Sequence, residues 1–410
     1  MFPFHRTKKK NIQLVSVYDI GSASIAGAVV RIELGEKPKL LYATRKEIVS
    51  LNTPRPRHFK EQSFSTYAEV VVETERHLRM AQQQEKHAYV GDALVVLSAP
   101  WYLSQTHTVH VEHPTPISIR EADIHKHVEH AYKDFLASTL VKEFGADTHE
   151  LFERRIIRVA LNGYETARPE GKEAKTVDIS VVFSIVSAES ADRFRDIIKK
   201  ERTNMHVSFC TFPLTAFDMV RSIGSHKEDF LFLDIAGEVS ELALVHDGAL
   251  AGAVSFPVGK RTMVRHVAHT LHVNTDEALS LIHLYKEGGI TKKEAKRIEE
   301  SISVATELWM RPFEHALDTL GEHVSVPRTV YLTADEDVSL WFAGIIDDMS
   351  VGAYSFETGT FSVVPVTVSY LQKAYTAVPD VLRDVFLIIG AVFATHMYMP
   401  LGEIHKDSLV

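Results

Sequence analysis

Leu14-Val-Ser-Val-Tyr-Asp19 runs through Ile20 into Gly21-Ser-Ala-Ser24, and the chain goes on as Ile25-Ala-Gly-Ala-Val-Val-Arg-Ile32. Two apolar stretches around a short Gly/Ser turn predict a β-hairpin within residues 13–34. The same design returns in the second half. Phe230-Leu-Phe-Leu-Asp234 leads through Ala236-Gly-Glu238 to Leu242-Ala-Leu-Val245, and Asp247-Gly248 then turns into Ala249-Leu-Ala-Gly-Ala-Val-Ser-Phe256. Asp-Gly is among the strongest short hairpin signals. Each time an Asp-Ile pair closes the first strand, at Asp19-Ile20 and Asp234-Ile235. Copies this far apart are not a solenoid repeat. They predict two related α/β halves that face each other.

Outward from the hairpins, strands are expected at 93–98, 106–112, 155–161, 176–184 and 328–333. Helices are expected at 119–136, with Ser118 as cap and Glu121 three residues on, and at 188–200. Asn162 to Lys175, with Gly163, Pro169 and Gly171, reads as an exposed loop. Thr262 to about Leu317 reads as helical, broken at Gly288-Gly289, with Thr291 capping the next segment. A helix from about Val338 and a last one over Pro379–Met399 complete the pattern.

The 410 residues carry a net charge of −9, with 45% apolar and 24% charged residues. That is ordinary for a folded protein of two to four domains, and it gives no general pull toward nucleic acid. The one cysteine, Cys210, excludes a disulfide framework and a multi-cysteine zinc site, and its apolar neighbours predict a buried, inert thiol. The longest uncharged apolar run, Val385 to Thr395, falls short of the ~20 residues of a spanning helix. The basic N-terminus Met1–Lys10 has no apolar stretch behind it and is not a secretory signal. Phe2 and Phe4 beside Arg6 and Lys8–Lys10 could touch an anionic membrane surface, against a frayed, solvated terminus.

The 22 histidines include triplets at 107/110/113, 125/127/130 and 266/269/272. Spacing by three on a strand does not put side chains on one face. No His-Glu-x-x-His appears, so solvated or core histidines are expected rather than a metal site. Gly-x-Ser-x-Gly, Gly-x-x-x-x-Gly-Lys-Ser/Thr and Gly-x-Gly-x-x-Gly are also absent, which weakens hydrolase, P-loop and Rossmann readings. Lys292–Glu300 is a mixed charge run expected on a solvated helix face.

The order of hairpin, inserted segment, hairpin, strand and terminal helix resembles the actin-like ATPase superfamily. Within it the FtsA/PilM group is most similar, through the segment of about 100–180 and its Asn162-Gly163-Tyr164 loop. The resemblance implies an α/β, actin-like (ribonuclease H-like) two-domain fold around a nucleotide cleft, with a small α+β (SHS2-type) inserted subdomain. Its divisions would be a flexible N-terminus 1–11, first domain 12–100 and 183–225, insertion 101–182 and second domain 226–372. A terminal helix would return to the first domain over 373–400, followed by a tail 401–410. Phe212-Pro-Leu-Thr-Ala216 and Gly390 resemble the family's connecting segment and small helix residue.

The resemblance also places a site for ATP and Mg. Gly21, Ser22 and Ser24 would meet phosphates, since a Gly/Ser turn can aim N–H groups and hydroxyls at phosphate oxygens. Gly21 also allows positive φ and close approach. Asp19 and Asp234 would hold the metal through water. The second motif reads Asp234-Ile-Ala236-Gly237-Glu238-Val239-Ser240-Glu241, where the family has Asp-x-Gly-Gly-x-Thr-x-Asp. Asp234, Gly237 and Ser240 are retained; Ala236 costs wherever a turn needs positive φ, Val239 cannot donate, and Glu238 adds charge. The adenosine motif, Thr-Gly-Gly in the family, is Thr333-Ala334-Asp335 with Glu336 and Asp337 behind, and Asp335 has no cation partner evident in sequence. After Gly259, Lys260 stands where a second Gly belongs and could serve as a point charge for phosphate. Glu277 keeps the ribose contact, while Ser280 replaces its Lys.

The function so implied is a cytoplasmic scaffold, peripheral at the inner membrane face, with weak or lost ATP binding. It would recruit protein partners for cell division through the inserted subdomain, and could self-associate. A PilM-like role in pilus assembly, docking on the short tail of a membrane partner, is the alternative. An ATP-dependent kinase or chaperone-like ATPase is the second alternative, with at most slow turnover and no substrate domain after the last helix. The short, polar 401–410 does not resemble the amphipathic anchor of FtsA-like proteins.

Overall fold

The computed structural model describes residues 12–399 except 49–55, 145–147, 167, 225–228, 247, 287–288, 290, 323 and 356–357. The basic N-terminus, the polar tail, Asp247 and Gly288 therefore lie outside the described residues.

Domain I opens with β1 (Ile12–Ile20), β2 (Ser24–Glu33), β3 (Lys39–Glu47), α1 (Pro56–Gln84) and β4 (Tyr89–Leu97). The chain then leaves for the insertion: β5 (Tyr102–Ser118), α2 (Glu121–Ala137), α3 (Thr139–Glu143), β6 (His149–Leu161), β7 (Tyr164–Glu165) and β8 (Glu173–Ser187). It returns through α4 (Ala188–Glu201), β9 (Val207–Thr211) and α5 (Phe212–Ile223). Domain II comprises β10 (Phe230–Ile235), β11 (Ser240–His246), β12 (Ala249–Phe256), α6 (Lys260–Leu271), α7 (Thr275–Lys286), α8 (Lys292–Gly321), β13 (Thr329–Ala334), α9 (Glu336–Asp347), β14 (Ser362–Pro365) and α10 (Val368–Leu371). β15 (Thr376–Ala377) and α11 (Val385–Tyr398) go back to domain I.

The internal duplication is explicit in the sheets. Domain I orders its strands β15-β3-β2-β1-β4-β9, and domain II orders them β12-β11-β10-β13-β14. Each begins with an antiparallel three-strand meander whose first strand pairs in parallel with the next strand along. Asp19 lies beside Ala26 and Val96, and Asp234 beside Glu241 and Thr333. Both aspartates therefore end a central strand, where loops from neighbouring strands converge. The near-continuous burial of β1 and β10 reflects helices on both faces.

One apolar cluster runs from domain I through α5 and α11 into the sheet of domain II, with Phe212 and Phe232 rings 5.8 Å apart. Gly390 lets α11 lie on β1, since an added Cβ would sit 2.8 Å from Val17. Cys210 is buried in this cluster, and burial pushes its thiol well above the usual range. The insertion is a four-stranded sheet, β5-β8-β6-β7, with α2 against it and a core of its own around Phe135 and Phe183. Asn162 (φ 52°) and Gly163 (φ 80°) form its left-handed hairpin turn.

Several boundaries differ from expectation. Ser118 does not cap α2: it still pairs with Glu173, Ile119 donates to Lys172 O, and the helix starts after Arg120. The stretch 262–317 breaks once more at His272, which takes φ 62° and closes the end of α6. The last helix begins at Val385 rather than Pro379; Asp384 caps it by accepting from Leu387 N–H at 3.0 Å.

Candidate functional site

The two duplicated turns face each other across a cavity of ≈ 410 Å³ between the domains. Asp19, Gly21, Ser22, Ser24, Asp234, Gly237 and Lys260 all line it. Gly259 caps α6 beside it, and Thr333 supports it from behind by donating to Asp234 Oδ1 at 2.7 Å. Two predicted residues are used elsewhere. Ser240 Oγ donates to Val258 O and accepts from Trp309 Nε1, so it is spent inside domain II. Glu277 is exposed and outside the lining, which α7 reaches instead through Thr275, Asp276 and Leu279.

The turns are shaped without the predicted strain. Gly21, Ala236 and Gly237 are not among the residues with positive φ, so Ala236 carries no steric penalty. Gly21 serves close approach: its N–H donates to Ser24 O at 3.1 Å, an added Cβ would lie 3.0 Å from that oxygen, and Trp101 Nε1 donates to Gly21 O.

Basic side chains fill the floor. Arg45, from the end of β3, donates to Asp19 Oδ2 (2.8 Å), Ser24 Oγ (2.7 Å) and both oxygens of Asp384 (2.6 and 2.9 Å). Burial raises the Asp19 pKa, and Arg45 only partly offsets this. Burial would raise Asp384 as well, but Arg45 and the N–H groups opening α11 hold it below the usual carboxylate range. Asp234 is pushed well above that range, first by burial, with the Thr333 hydroxyl opposing. Lys260 Nζ pairs with Asp335 (2.9 Å) and Asp337 (2.7 Å), so Asp335 does have a cation partner and Lys260 is engaged. Arg265 holds Glu238 through two hydrogen bonds of 2.9 and 2.7 Å.

These contacts test the fit of the ATP and Mg that the motifs imply. Asp19 keeps one buried oxygen, Oδ1, without a hydrogen-bond partner, which suits a cation or its water. The phosphate side does not fit as placed. Ser22 Oγ accepts from Glu238 N–H at 3.0 Å, and an added Cβ on Gly237 would sit 2.1 Å from Ala23 Cβ. The first amides of α6 are taken as well, Lys260 N–H by Ala236 O and Arg261 N–H by Gly237 O. The groups meant for phosphates contact each other. Among the described residues no cluster of three metal-ligating side chains occurs.

Sequence reasoning missed Arg45, Arg261, Arg265 and Asp384. A signal existed. The extra carboxylates Glu238, Asp335 and Asp337 need cations near by, and Arg261 and Arg265 stand four apart on the next helix.

A second cavity, of ≈ 390 Å³, separates the insertion from domain I. β6 supplies Phe152, Glu153 and Arg155; Phe209, Leu214 and Phe393 face them. Among the described residues both walls are strand edges without a ladder partner on the groove side, and they meet where the Thr211 hydroxyl of β9 donates to Glu153 of β6 at 3.0 Å. β6 pairs with β8, and with β7 only at Ala160 and Leu161, while β9 pairs only with β4. Glu153 is answered by Ser184 and Thr211 hydroxyls, whereas among the described residues Arg155 Nε is buried without a hydrogen-bond partner. Burial lowers the Arg155 pKa, with Glu153 opposing.

No protein-family model and no curated protein matches the chain. Solved structures do. The PilM-PilN type IV pilus biogenesis complex aligns with a TM-score of 0.59 at 12% identity, covering 95% of this chain and 97% of that one. EutJ, an ethanolamine utilization protein from Carboxydothermus hydrogenoformans, aligns at 0.43 and 9% identity, over 94% and 89% of the two chains. A diol dehydratase-reactivating factor in nucleotide-free form aligns at 0.43 and 8%, over 85% and 96%. The likeness is one of fold, and the fold is that of the actin-like ATPases. Among the described residues no helix is long and apolar enough to cross a membrane.

Proposed function

We propose that this chain is an actin-fold scaffold that captures an extended segment of a partner protein between the insertion and domain I. The carrying observation is Arg155, whose buried Nε lacks a partner in an apolar cavity bounded by the free edges of β6 and β9. A free edge recognises extended main chain by strand addition, and apolar pockets select alternate side chains. Arg155 adds a demand for a carbonyl or a carboxylate of the partner. The fold shared with a component of the PilM-PilN pilus complex supports a membrane-associated assembly as the setting, with division machinery as the other setting the motifs imply.

Photo-crosslinking in cells tests this. A crosslinker at Phe152 should yield a discrete adduct with a membrane-assembly protein, while one at the exposed Leu340 of α9 should not. Arg155→Met combined with Glu153→Gln should abolish the adduct without unfolding the protein. Equal yields at both positions, or adducts indifferent to that double change, would refute the groove as the docking site.

A further inference from the structure

We infer that the protein's own basic side chains hold the two domains closed over the cleft, in place of a bridging nucleotide. The central residue is Arg261, in the first turn of α6 of domain II. Its guanidinium crosses the cleft and donates to Ile48 O (3.0 Å), Ala23 O (3.1 Å) and the Glu47 carboxylate (2.5 Å). All three acceptors belong to domain I, and they come from two segments, the β1–β2 turn and the end of β3. Ile48 N–H itself donates to Ala23 O at 2.7 Å, so one arginine secures both segments.

The backbone repeats the crossing, from Glu238 N–H to Ser22 Oγ, with Gly237 pressed against Ala23. On each side a further cation keeps its own wall in shape. Arg45 binds the first turn to the start of α11, and Lys260 draws the start of α9 to α6. Glu238, Asp335 and Asp337, the carboxylates that would repel a phosphate, are therefore matched within the cleft. A guanidinium suits such a clasp, since its planar fork meets several acceptors at once and it stays charged at any accessible pH.

The consequence concerns regulation. A ligand shifts a conformational equilibrium only by its differential affinity for the two states. Where the chain supplies its own closing contacts, closure no longer reports nucleotide, and the surfaces built by both domains are present constitutively. This goes beyond the partner groove and does not rest on it.

Amide hydrogen exchange on the full chain tests the clasp. Exchange at residues 21–24 and 236–239 should be unchanged by excess Mg-ATP. Arg261→Ala should speed it there by at least about tenfold, with no change in β6 and β8 of the insertion as internal control. Marked slowing of the wild type by Mg-ATP would overturn the inference, and so would an Arg261→Ala protein with wild-type exchange at both turns. Should that variant fail to fold, Glu47→Ala removes one acceptor from an exposed side chain. A smaller acceleration at the same amides is then expected, and none would overturn the clasp.

Discussion

The interdomain cleft and the groove beside the insertion are nearly equal in volume, ≈ 410 against ≈ 390 Å³, but opposite in chemistry. In the cleft, Arg45, Lys260, Arg261 and Arg265 each meet a carboxylate of this chain, and Glu238 N–H donates across to the Ser22 hydroxyl. In the groove, two strand edges stand unpaired and Arg155 Nε is buried without a partner. Volume alone does not mark a binding site. The cleft keeps an orphaned acceptor, Asp19 Oδ1, and the groove an orphaned donor, Arg155 Nε; what sets the groove apart is that its orphan lies between unpaired strand edges, because such a group costs about 1–3 kcal/mol and an extended segment can recover it.

The contrast breaks most visibly if the cleft has slack. Gly259→Val would place its Cβ 2.4 Å from Ala236 O and 2.7 Å from Gly237 O, both backbone. Overpacking of this kind should cost about 3 kcal/mol in denaturant unfolding; a loss well under about 1 kcal/mol would show that the Ala236–Gly237 turn can part from the start of α6 on the domain II side of the cleft.

Glu241 ties domain II to the insertion: its carboxylate accepts from Tyr102 OH at the root of the insertion, and it is 5% exposed. Burial raises its pKa to about 7, with the Tyr102 hydrogen bond opposing. A carboxyl raised in the fold is a growing liability as pH climbs from the unfolded value toward 7, and the full penalty applies above that. Glu241→Gln should therefore stabilise the protein by about 3 kcal/mol at pH 8 and by under about 1 kcal/mol at pH 5. Equal effects at both pH values would mean that Glu241 is not buried as described.

Arg155→Met sharpens the groove side. Combined with Glu153→Gln, which leaves no uncompensated buried carboxylate, it removes an unpartnered buried donor and keeps the apolar stem, so stability should stay within about 1 kcal/mol of wild type by thermal melting, while partner crosslinking is lost. The smallest effect lies on the seam beneath the groove, where His396 of α11 meets Asp218 of α5 at 2.6 Å. The hydrogen bond to Asp218 raises the His396 pKa. That contribution is complete below about pH 6.5 and fades as pH rises through the folded value. His396→Ala should cost about 0.5 kcal/mol at pH 5.5 and close to nothing at pH 9, since the pair is partly exposed.

Much of the frame was legible because strand alternation and Gly turns are local. Both hairpins, β4, α4, β13 and the buried run of α11 follow from such signals. α1 did not. Its buried face includes Thr74 and Glu75 among Tyr67, Val70, Val71 and Leu78, which breaks the apolar stripe. Glu75 is buried because Ser16, Tyr18 and Arg202, remote in sequence, supply its hydrogen bonds. The site divided in the same way. Asp19, Asp234 and the turns could be named from motifs, yet whether Lys260 was free for phosphate depended on Asp335 and Asp337, 75 and 77 positions away. Capping failed at Ser118 for a comparable reason, since the ladder to β8 outlasts the local signal.

The insertion leaves domain I at Tyr102 and comes back at Val186, and these two residues face each other in one antiparallel ladder. Its entry and exit are thus separated by about 5 Å, the width of a single strand pair. A module hinged on so narrow a stem can be exchanged, lengthened or rebuilt over evolutionary time while the parent sheets keep their register. Specificity in such a lineage can drift at the cassette while the chassis stays the same.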